Sequence, residues 1–153
     1  MRRLAALALL GVVAAGCSGG DSPSSTPSVP SRGETAGEAI TRQFMLLSQG
    51  QVGRLWEEMH PAHQQLISRS TYMLCTRDMP IELTGVEVID TYPERYTIPG
   101  TNVETDSTAV TFTVEQPGGG SWTDTSHEVK VRGRWRFTVA DPDGCLSTAR
   151  RNE

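Results

Sequence analysis

Apolar residues change their spacing once along the body of this chain, and the change divides it into helices followed by strands. From residue 35 to 77 the spacing is helical. Ile40, Phe44 and Leu47 recur at i, i+4 and i+7, and Val52, Leu55, Trp56 and Met59 resume the stripe after an interruption at Gln49 and Gly50. Pro61 suits the first turn of a third helical segment carrying Leu66 and Ile67. Ser70 suits the N-cap of a last turn through Tyr72, Met73 and Cys75. After Pro80 the period falls to two. Residues 81–92 carry Leu83, Val86, Val88 and Ile89, with a bulge expected at Gly85, and 94–98 add a short edge piece. In 107–116, Val110, Phe112 and Val114 alternate with Thr111, Thr113 and Glu115. A glycine-rich loop at 117–120 leads into a hairpin of 121–131 and 134–140 about Arg132 and Gly133, with Val129, Val131, Trp135, Phe137 and Val139 expected on its apolar face. Helices followed by an antiparallel meander predict an α+β domain in which N-terminal helices cover one face of the sheet. Thr111, Thr113, Glu115, Arg134, Arg136 and Thr138 are then left to face water.

Ahead of this body the pattern is of another kind. Arg2 and Arg3 precede an apolar run at 4–13 and the small residues Ala14, Ala15 and Gly16, which predicts a signal peptide over 1–16. The run is shorter than the roughly 20 residues that span a bilayer. Val13, Ala14, Ala15, Gly16 and Cys17 together resemble the bacterial lipobox. That resemblance implies acylation of Cys17 and anchoring of the mature chain in the lipid bilayer, on the extracytoplasmic face of the cell membrane. An ordinary secretory signal with an incidental Cys17 is the alternative. Residues 17–34 are dominated by Ser, Pro, Gly and Thr, cannot bury enough apolar surface to offset chain entropy, and are expected to be a tether.

Charge and cysteines narrow the picture further. The 153-residue chain has a formal charge of −4, and loss of the signal with its two arginines moves this to −6. That balance disfavours nucleic acid as a partner. The roughly 115 residues after the tether are enough for one domain with its own core. With Cys17 assigned to lipid, Cys75 and Cys145 remain in a compartment where disulfides persist, and a bond between them is predicted. Closing so long a loop contributes up to ~4 kcal/mol in the chain-entropy account. A metal site combining cysteine with His60, His63 or His127 lacks any CxxC or HxxxH spacing, so neither metal nor other cofactor is expected.

Two local patterns carry a wider resemblance. One is Phe44-Met45-Leu46-Leu47-Ser48-Gln49-Gly50-Gln51 followed by Leu55-Trp56-Glu57-Glu58-Met59-His60-Pro61. The other is Val131-Arg132-Gly133-Arg134-Trp135-Arg136-Phe137. In this order they resemble the NTF2-like, cystatin-like α+β family, in small bacterial lipoproteins that present such a domain outside the membrane. The resemblance covers 36–147 and implies a curved sheet wrapped on helices as a cone. The domain is therefore placed at 35–147, with 148–153 a C-terminal tail. Enzymes of that family hold an acid–base group inside the cone, and the candidates here are Asp90, Tyr92, Tyr72, His60 and His127. His127 shares parity with Val129 and Val131 and is expected to point inward. No GxSxG elbow, Walker loop or HExxH is present.

No catalytic residue is assigned from these features. The expected function is non-enzymatic: the cone binds a small apolar or amphipathic ligand, with Tyr72, Tyr92 and His127 as ligand-binding residues, or docks an envelope protein. A lyase or isomerase using Asp90 or His127 with Tyr92 is one alternative. A purely structural domain filled by its own side chains is another.

Overall fold

Local signals set the helix boundaries of the computed structural model, which describes residues 33–77 and 82–152. The signal sequence, Cys17 and the tether as far as residue 32 lie outside the described residues. Helix α1 (Ala36–Ser48) opens on a capping box in which Thr35 Oγ1 accepts from the Glu38 amide at 3.2 Å and the Glu38 carboxylate accepts from the Thr35 amide at 2.7 Å. Helices α2 (Val52–Glu57), α3 (Pro61–Leu66) and α4 (Arg69–Thr76) follow. Pro61 begins α3, and His60 Nδ1 caps it by accepting from the Ala62 amide at 3.2 Å. The cap of α4 is Ser68, which accepts from the Thr71 amide at 3.1 Å, and not Ser70. The chain turns helical sooner than expected because Ile67 is extended and fully buried, which places Ser68 at the turn.

Four strands then run as an antiparallel meander in the order β1-β2-β3-β4: β1 (Gly85–Thr97), β2 (Glu104–Glu115), β3 (Ser121–Val131) and β4 (Arg134–Phe137). The domain is thus α+β. β1 is one strand and not two pieces, and its register shift falls between Val88 and Asp90, not at Gly85. Pro93 sits within β1, an edge strand, where a missing N–H can face outward without breaking the ladder. Arg132 and Gly133 both take positive φ, 50° and 81°, as a two-residue hairpin turn of the mirror-image kind requires.

That turn corrects the expected apolar face of β3. Pairing Val131 with Arg134 and Val129 with Arg136 sets both valines opposite arginines, whereas Trp135 pairs with Lys130 and Phe137 with Glu128. β2 agrees, because Val110, Phe112 and Val114 oppose Ser126, Asp124 and Trp122. Directly opposed residues share a face. Trp122, Asp124, Ser126 and Glu128 of β3 therefore share a row with the β2 residues beneath α1, and His127, Val129 and Val131 form the other row, in which Val129 is nonetheless buried and His127 lines the cavity described below.

Helix α1 covers this face: Ala36 and Ile40 pack in one core with Val110, Phe112 and Val114. Gly37 permits the approach, since a Cβ there would lie 3.3 Å from both Val88 methyl groups. A second core joins Leu46, Leu55, Met59, Ile67, Tyr72 and Cys145. The last of these belongs to a fifth helix, α5 (Pro142–Arg151), which replaces the expected 148–153 tail and carries the folded body past residue 147. Asp141 caps it by accepting from the Gly144 amide at 2.8 Å, and Pro142 occupies its first turn. β4 is joined to the α2–α3 link where the His60 amide donates to Phe137 O at 2.8 Å.

His63 ties the far end of the sheet to the helices. It is fully buried, its Nε2 lies 2.7 Å from Pro99 O, and its Nδ1 accepts from the Val139 amide at 2.9 Å. Those bonds require the neutral ring with its proton on Nε2. Burial holds its pKa below the ordinary value, with the Pro99 bond opposing, and His60 is lowered too, by burial and then by His63 and Arg136. An unfolded histidine therefore takes a proton first, so the contribution of both residues is present above pH 6.5 and is lost as pH falls below it. Replacing His63→Gln leaves one partner unmatched, costing about 1–3 kcal/mol. It should also flatten the acid-side slope of melting temperature followed by circular dichroism between pH 5 and 8. An unchanged slope would show that His63 does not carry the effect.

Candidate functional site

A cavity of about 310 Å³ opens between the helices and the covered face of the sheet. Helix α1 supplies Ile40, Gln43, Phe44 and Leu47, because the i, i+3, i+4, i+7 spacing brings one flank of the helix over β2 and β3. Leu55 and Tyr72 close it from α2 and α4, and Phe137 and Thr138 from the end of β4. From the sheet come Tyr96, Phe112, Trp122, Asp124, Ser126 and His127.

Aromatic rings make most of its wall. Phe44 lies 5.0 Å from Phe112 and 6.0 Å from Trp122, and Phe112 lies 5.8 Å from Trp122, all in tilted or edge-on geometry. Tyr72 and Phe137 face each other at 6.4 Å. Burial raises the Tyr72 hydroxyl pKa well above its usual value, so it stays protonated across the physiological range. His127 stacks flat on Tyr96, with ring centroids 3.8 Å apart and planes 9° from parallel, and its Nε2 pairs with the Glu94 carboxylate. The Tyr96 hydroxyl in turn accepts from Thr138 Oγ1 at 3.4 Å.

Behind the polar part of the wall lies Glu128, with no exposure to solvent. Its Oε2 accepts from Gln43 Nε2 at 3.0 Å and its Oε1 from Ser126 Oγ at 3.4 Å. Burial pushes its pKa up to about 7, against the two hydrogen bonds and the charge of Arg42, while Glu58 adds to the rise. Arg42 is held outside this group by Glu34 at 2.8 Å and by Glu58.

Of the residues marked out by sequence, Tyr72 and His127 line the cavity. Tyr92 is 43% exposed and stands outside it. Asp90 is exposed as well, and its Oδ1 accepts from the adjoining Thr91 amide at 2.8 Å. The register shift after Val88 pairs Asp90 with Thr111 and Tyr92 with Ala109, in place of the row that holds Val88 opposite Phe112. Neither Asp90 nor Tyr92 lines this cavity, and His60 is engaged as the cap of α3. Gln43, Asp124, Ser126 and Glu128 escaped the sequence reading. The signal that could have found them is the two-residue turn at Arg132 and Gly133, which fixes the parity of β3. Cys75 on α4 and Cys145 on α5 lie at disulfide-bonding distance, with Cα atoms 5.1 Å apart. Among the described residues, no group of three or more His, Cys, Asp or Glu could hold a metal ion, and no helix is long and apolar enough to cross a membrane.

A carboxyl whose folded pKa stands above its ordinary 4.5 contributes most below pH 4.5, and that contribution is lost as pH rises through 7. Glu128→Gln keeps an acceptor for Gln43 and removes the buried charge. It should raise unfolding free energy at pH 8, by at most about 3 kcal/mol for a shift of this size, and give no gain at pH 5. Urea titrations at the two pH values measure this, and a variant less stable than the parent at pH 8 would contradict it.

No protein-family model matches the chain, and no curated protein matches it.

Proposed function

We propose that this domain is a non-enzymatic binding module with an NTF2-like cone, carried on the extracytoplasmic face of a bacterial membrane by lipid on Cys17, and that its cavity takes one small amphipathic molecule. The observation that carries this reading is the cavity itself. Apolar and aromatic walls with a few convergent polar groups are the usual composition of small-molecule sites, and its volume is of the usual order. Helices over one face of a four-stranded antiparallel sheet are in keeping with the family resemblance, as is the placing of Trp135 at the closing hairpin. Binding is favoured over catalysis because Asp90 lies outside the cavity and Glu128 is engaged by Gln43 and Ser126. The anchor rests on residues 2–17 and on the composition of the tether. Cysteines close enough to bond suit an oxidising compartment.

Two measurements test the two halves. The full chain should quench or shift its tryptophan emission on addition of the neutral probe N-phenyl-1-naphthylamine, because Trp122 forms part of the wall. Leu47→Trp, which fills the cavity, should weaken uptake at least tenfold. Undiminished uptake by that variant would remove the cavity from the account. Metabolic labelling with a clickable fatty acid should mark the parent chain and not Cys17→Ala, and label retained on the variant would end the anchoring claim.

A further inference from the structure

The hydrogen-bond directions around Glu128 restrict what the cavity can receive. Gln43 presents its NH2 group and Ser126 its O–H to the Glu128 carboxyl. Both residues also line the cavity, where the amide oxygen of Gln43 and the hydroxyl lone pairs of Ser126 remain as acceptors, beside the second N–H of Gln43. Asp124, exposed and also lining the cavity, adds a carboxylate of which Oδ1 accepts from the Thr125 amide at 2.7 Å, leaving further lone pairs for a donor. Beside it stands the cluster of Phe44, Phe112 and Trp122. Aromatic rings next to a carboxylate favour a positive charge carried on an apolar body. The described residues of the lining include neither lysine nor arginine, and His127 has its Nε2 turned to Glu94. A carboxylate or phosphate ligand would thus meet the Asp124 charge with no lysine or arginine of the described lining to balance it.

We propose that the cavity selects a small amphipathic amine in its protonated form, with the ammonium N–H groups donating to Asp124 and to the Gln43 amide oxygen and the apolar body lying against Phe44, Phe112 and Trp122. This rests on the binding reading above and adds the ligand's charge and polarity to it.

Three probes of one shape separate the alternatives: 2-phenylethylamine, 3-phenylpropanoate and 3-phenyl-1-propanol, cationic, anionic and neutral at pH 7. Isothermal titration into the full chain held in lipid nanodiscs, with empty nanodiscs as the blank, should show the amine binding at least tenfold more tightly than the carboxylate and more tightly than the alcohol. Asp124→Asn should weaken the amine at least fivefold and leave the alcohol unchanged. Because Asp124 is exposed, that variant should fold, and the ranking of the three probes on the parent chain is a test that needs no variant. If the alcohol or the carboxylate binds as well as the amine, the charge assignment fails and the cavity remains a binding site. If none of the three binds, both this inference and the binding reading fall.

Discussion

A carboxyl group shut away from water sits where the helical layer meets the sheet, and its bond to Gln43 governs how the two layers fit. Burying Glu128 is costly unless its oxygens are satisfied. The partner comes from position 43, which shares the inward stripe of α1 with Ala36, Ala39, Ile40 and Leu46. One polar residue within that stripe fixes the rotation of the helix, because any other setting would strand both the amide and the carboxyl. With α1 so turned, Phe44 and Leu47 fall along one flank of the stripe, and space is left between them and Phe112 and Trp122 on the sheet. The cavity is thus a consequence of a polar contact in a layer that apolar side chains would otherwise fill.

Elements specified by neighbours in sequence were legible, and those specified across the fold were not. Pro61 and the Arg132 and Gly133 pair each act within four residues, and each appears as read. Alternation alone cannot tell that Val129 and Val131 fall in the row opposite Trp135 and Phe137, a row in which Val129 is nonetheless buried and His127 reaches the cavity. The pairing across the turn decides it, and it places a glutamate in the core whose partner lies 85 residues away. Helix α5 was missed although Asp141 followed by Pro142 is a start signal, because the segment after it is short of apolar residues and takes its stability from packing on α4. Of the site, Tyr72 and His127 were legible, while Tyr92 and Asp90 stand outside the cavity, on a strand whose register shift at Ile89 no residue type announces.

The helices are held at several independent points, which leaves the cavity a stiff frame. Trp56 donates to Ile67 O at 2.9 Å and binds α2 to the end of α3, and Trp135 donates to Glu34 O at 2.8 Å and binds β4 to the start of α1. His63 reaches Pro99 and Val139, 36 and 76 residues distant. Contacts spanning so much chain form only once most of the topology is in place, so the imidazole completes the fold instead of starting it.

Pro93, in the middle of the outermost strand, has an effect that reaches past the single molecule. A long unpaired strand invites copies of the chain to zip together into a continuous ribbon. The imino ring interrupts the row of donors that such an arrival would need, and Glu87, Glu94 and Arg95 place ionic charge along the same margin. Two copies brought side by side therefore find a poor template along the β1 margin.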